Sequence, residues 1–155
     1  MSVEKRRAEA RWWLAQAQDD WEAGNALLQA GKFAQAAFLA QQAGEKALKA
    51  LRLFLGLDPW GHSLARFLRD LPEEESPAFR NLLPKALALD KLYIPTRYPD
   101  ALPGLTPKKA YTREEAERAL DAFPSGKQLD AFPSGKQLED AQAILKAVEV
   151  RLGQG

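Results

Sequence analysis

The chain has 155 residues, a formal charge of +1, no cysteine and a single histidine. That length suits one domain with a real core, and 46% hydrophobic against 28% charged residues is a globular balance, not a disordered one. Disulfides, thiol catalysis, thiolate metal sites and histidine-rich zinc sites are excluded, and a near-neutral charge gives no global attraction for polyanions.

Ala, Leu, Glu, Lys, Arg and Gln dominate, the residues that lose least on entering a helix, so an all-α fold is expected. No apolar run approaches the ~18–20 residues that span a bilayer, and no signal-peptide core stands near the start, so a cytoplasmic protein without membrane contact is expected. Absent cysteine and one methionine suit a thermophile.

The spacing predicts a first helix over Val3–Ala30, with Ala10, Trp13, Leu14, Ala17, Trp21, Gly24, Leu27 and Leu28 on one stripe. Its basic run Lys5, Arg6, Arg7 and Arg11 reads as a solvated first turn in preference to a nucleic-acid contact. Gly31 supplies a left-handed stop, and the short Gly31-Lys32 link folds the next helix back antiparallel. That helix, Phe33–Leu55, carries small residues on its packing face. Ala17 and Gly24 are expected to face Ala36, Ala40 and Gly44, which lets the two axes approach closely.

Gly56 ends the second helix, and Asp58-Pro59-Trp60-Gly61 forms a turn. A short helix over Ser63–Leu71 follows, then the breaker Pro72–Pro77. Another helix over Pro77–Leu92 contains Pro84, which kinks it or resets its start. Pro95, Pro99, Pro103, Pro107 and Gly104 make a long loop of the stretch Tyr93–Tyr111. Thr112-Arg-Glu-Glu115 is a capping box that opens the last helix.

That helix is interrupted by a perfect duplication. DAFPSGKQL spans Asp121–Leu129 and recurs unchanged at Asp130–Leu138. Inside a helix, Pro124, Gly126, Pro133 and Gly135 would cost roughly 8 kcal/mol, so the 18 residues are expected to loop out. A recent tandem duplication, a displayed peptide and a native functional loop are the three readings of it. FPSGK lacks the order of a phosphate-binding loop.

Several stretches together resemble the HEPN family. They are WLAQAQDDWEAGNALLQAGKFAQAAFLAQQAGEKALKALRLFLG (Trp13–Gly56), HSLARFL (His62–Leu68), LYIPTRYPD (Leu92–Asp100) and YTREEAERAL (Tyr111–Leu120). Apart from the duplication they cover nearly the whole chain, and their order and spacing carry the resemblance. It implies an antiparallel bundle of about five helices, a homodimer or higher homo-oligomer, and a minimal nucleotidyltransferase partner in a toxin–antitoxin-like module, with nucleotide or RNA as a further ligand. No cofactor is implied. Some members of the family are metal-independent ribonucleases with an Arg followed, after roughly four to six intervening residues, by a His, in which His moves the proton and Arg holds the phosphate. Here the sole His62 has Arg52 as its nearest upstream arginine, nine residues intervening, so that motif is missing.

The candidate site residues fall into four groups. Gln42, Glu45, Lys46, Lys49 and Arg52 line one face of the second helix beside Phe38, read as a solvated face, a dimer or partner surface, or a phosphate site on Lys46 and Lys49. Arg97, Tyr98 and Asp100, with Tyr93, sit in the proline-containing loop, where Arg suits phosphate and Tyr suits a base. His62 reads as a helix cap with Ser63, or as a catalytic group working with Arg97. Asp20, beside the apolar stripe, needs a Lys or Arg partner from the second helix if buried. No metal site is expected. The functional expectation is a binding module that dimerises and pairs with a nucleotidyltransferase; the alternatives are a divergent ribonuclease using His62 and Arg97, and a scaffold presenting the duplicated peptide.

Overall fold

The computed structural model describes residues 2–92 and 133–154. Among them all regular structure is helical: α1 (Val3–Gln29), α2 (Phe33–Leu55), α3 (Leu64–Arg69), α4 (Ser76–Phe79), a 3-10 turn (Arg80–Leu82), α5 (Leu83–Asp90) and α6 (Pro133–Gly153). The long predicted loop, the Thr112 capping box and the first copy of the duplication lie outside the described residues.

Both long helices end as their glycines require. Gly31 and Gly56 adopt φ of 78° and 77°, and the amides of Lys32 and Leu57 reach back to the carbonyls of Leu27 and Arg52, both at 2.8 Å. These are Schellman stops, and the first of them turns the chain straight into α2. Pro84 resets instead of kinking: it sits in the first turn of α5, where a missing amide costs nothing.

The core is centred on α2, which packs against α1 on one side and against α6, α3 and α5 on the others. Gly24 fits the expected close approach, since a Cβ there would lie 3.3 Å from Leu39 Cβ and 3.5 Å from the Ala36 carbonyl. Gly44 does not face α1. A Cβ on it would stand 2.6 Å from Leu64 Cδ2 and 3.0 Å from Leu89 Cδ1, so its smallness admits α3 and α5.

The duplication does not loop out as a unit. Its second copy enters α6 at Pro133, the first helical position, where proline is favoured. Leu138 lies in the core, its carbonyl accepts from Trp21 Nε1 at 2.8 Å, and Lys136 pairs with the buried Asp140 at 3.2 Å. The expected penalty of roughly 8 kcal/mol counted Pro133 as a helix-interior residue; at the helix start its share of that cost vanishes.

Candidate functional site

Asp20 and Lys46 join the two long helices. Lys46 Nζ lies 2.6 Å from Asp20 Oδ2, and Gln16 donates to the other carboxylate oxygen at 2.9 Å. The buried acid thus has the α2 partner its position demanded. Next to Lys46 along α2, Glu45 is 4% exposed, and its Oε1 lies 3.2 Å from His62 Nδ1 and 3.3 Å from Gln41 Nε2. Lys49 Nζ stands 3.6 Å from Glu45 Oε2 and 5.5 Å above the Trp13 ring. Gln42 donates to Gln41 at 2.7 Å. A polar seam therefore runs from Gln16 to His62.

This seam corrects the reading of Gln42–Arg52 as a solvated face. Glu45 and Arg52 are buried, because α3 and the turn before it close over that side of α2. Arg52 donates to the carbonyls of Asp58 and Phe67 and stacks 5.5 Å from the Phe67 ring, fixing the turn and leaving no guanidinium face for a ligand. His62 is exposed and joins the seam through Glu45. Ser63 does cap α3, accepting from the Arg66 amide at 3.2 Å. Asp90 adds a second cap, accepting from the amides of Leu64 (2.7 Å) and Ala65 (3.1 Å) and from Ser63 Oγ (2.9 Å). Nothing local in the sequence marks it, since its partners lie more than twenty residues away. Arg97, Tyr98 and Asp100 lie outside the described residues.

Beside the seam is an open groove of about 420 Å³ lined by Trp12, Trp13, Gln16 and Lys46. Trp12 is 72% exposed there, the neighbour of a half-buried Trp13, because helical spacing allows only one of two adjacent tryptophans to face the core. Sequence reading missed it, although an extra tryptophan off the apolar stripe was the available signal. The groove offers aromatic area, an amide and one cation already paired with Asp20, a surface suited to a protein neighbour. Among the described residues no group of acidic or histidine side chains could hold a metal ion, and no helix is long and apolar enough to cross a membrane.

The HEPN domain profile matches residues 10–123. Among solved structures, TT1696 from Thermus thermophilus is 40% identical, with a TM-score of 0.74 over 92% of this chain and 97% of that one. ST0689, an archaeal HEPN homologue, is 29% identical at a TM-score of 0.64, again over 92% of this chain and 97% of its own. The candidate toxin MJ1304 of Methanocaldococcus jannaschii is 27% identical over 119 residues, 72% of this chain and 78% of the relative.

Proposed function

The chain belongs to the HEPN domain family, and from that premise we propose that it is a binding module of a toxin–antitoxin-like pair, self-associating and docking a minimal nucleotidyltransferase. The observation that carries the docking reading is Trp12, largely exposed in a groove with Trp13, Gln16 and Lys46. Tryptophan surrounded by groups that exclude water is the residue type that dominates binding energy at protein interfaces. Similarity to a candidate toxin supports the module type.

Charge balance favours a protein over a phosphate in this place. Lys46 faces Asp20 and Lys49 faces Glu45, so a phosphate would have to displace a carboxylate from either lysine. Co-expression with a minimal nucleotidyltransferase, followed by size-exclusion and native mass measurement, tests the proposal. A complex that Trp12→Ala weakens at least tenfold is expected. No complex would overturn it.

A second reading, a metal-independent ribonuclease centred on His62, draws on the Glu45 carboxylate 3.2 Å from Nδ1. A carboxylate in that place orients an imidazole for proton transfer. Cleavage of labelled RNA that is abolished by His62→Ala and reduced by Glu45→Gln would favour it; cleavage surviving His62→Ala would exclude it.

A further inference from the structure

Away from the seam, α3, α4 and α5 enclose a half-open cavity of about 140 Å³. Its wall is apolar: Phe79 is 1% exposed, Leu68 is buried and Leu83 is half-buried. Arg69, Arg80 and the hydroxyl-bearing Ser76 complete the lining. Of the acids near this corner, Asp70 pairs with Arg66 at 3.5 Å and Glu75 with Arg151 at 2.8 Å, while the exposed Glu73 and Glu74 do not line the cavity. Arg69 and Arg80 take no part in any ion pair among the described residues.

We propose that this cavity binds a small organic carboxylate, its apolar body against Phe79, Leu68 and Leu83 and its carboxylate between Arg69 and Arg80. The size and charge set the class. A dry cavity of ~150 Å³ holds a benzene ring, so the space admits a body of about six carbons. Two arginines without ion-pair partners lining one cavity complement a single anion, and the planar guanidinium fork matches a carboxylate with two parallel hydrogen bonds. A neutral ligand would leave that charge unmatched, and a bare anion would leave the apolar wall uncovered. The cavity is separate from the groove at Trp12, so each can fail without the other.

The test is ligand-observed NMR titration of the full chain with benzoate, with benzyl alcohol and acetate as partial mimics. Benzoate is expected to saturate, with both mimics at least tenfold weaker. The Arg69→Gln/Arg80→Gln variant, altered only at exposed positions and so expected to fold, should weaken benzoate about tenfold or more. Leu83→Trp, which fills the space, should abolish binding where its circular dichroism remains helical. Equal binding of benzyl alcohol or acetate, benzoate affinity unchanged in the double arginine variant, or no saturation by benzoate would each overturn the proposal.

Discussion

Helices α1 and α2 run side by side, yet 15 of the 23 residues of α2 are buried and only five of the 27 in α1. The difference is one of coverage. α1 meets the bundle along one stripe, whereas α2 has neighbours on several sides, so even its polar residues Gln41, Glu45 and Arg52 are enclosed. A helix covered on most sides must satisfy its enclosed polar groups internally. The helix covered on one side keeps a surface, and Trp12 stands on it.

The sharpest way to break this comparison is to truncate matched leucines. Leu51→Ala, at 0% exposure in α2, should cost about 3 kcal/mol in urea unfolding. Leu27→Ala, half-buried on α1, should cost about 1 kcal/mol. Equal losses would mean that the two helices contribute alike to the core.

The next test separates the seam from the groove. Lys46→Ala leaves the buried Asp20 with Gln16 as its remaining partner and should cost about 2 kcal/mol. Trp12→Ala, on the same edge of the bundle, should change stability by no more than about 0.5 kcal/mol. A large stability loss from Trp12→Ala would assign that ring to the core and remove the reason to give it a partner.

Much of this was legible from spacing and stop signals. The Phe33–Leu55 limits, the antiparallel turn at Gly31, the cap at Ser63 and the need of Asp20 for an α2 partner all follow from local chemistry. What could not be read was how many neighbours each helix has. Periodicity identifies an apolar stripe but is silent on whether the opposite face is also covered, and so Glu45 and Arg52 read as exposed while they are enclosed by α3 and its preceding turn. The Asp90 cap and the Glu45–His62 contact are likewise meetings of residues distant in sequence. In the second copy of the duplication, Pro133 reads as a helix breaker from sequence, yet its place at the start of α6 makes it harmless.

A smaller effect is expected where α6 closes over the end of α2. Arg151 donates two hydrogen bonds of 2.8 Å to the Glu75 carboxylate and stacks 5.4 Å from the Phe54 ring. The hydrogen bonds from Arg151 hold the Glu75 carboxyl below its ordinary range, against the opposing effect of burial. The bonds to Glu75 likewise raise Arg151. A depressed carboxyl stabilises the fold at neutral pH, and that contribution disappears as pH falls through the carboxylate range. The raised guanidinium contributes at every pH below its own range, so it adds no slope there. Glu75→Gln should therefore lose about 1 kcal/mol at neutral pH and flatten the acid limb of the stability profile. An unchanged acid limb would show that the pair does not form in solution.

Least of all should follow from deleting one nine-residue unit. Removing 121–129 or 130–138 yields the same chain, and in either case α6 keeps its full sequence from Pro133 to Gly153. Stability should shift by no more than about 0.5 kcal/mol in urea unfolding. Removing all 18 residues is the stricter form of the test. Leu120 then falls in the place of Leu138 and Arg118 in that of Lys136, so the apolar contact at Gly24 and a cation near Asp140 are both retained. The residues that replace the start of α6, Glu115 to Leu120, are strong helix formers where proline and glycine stood. Stability equal to or above that of the full chain is the expected outcome, because the core needs a leucine and a cation at these positions and takes them from either source. A loss above about 1 kcal/mol from the single-unit deletion would instead mean that the first copy contributes contacts of its own, and the two copies would no longer be equivalent.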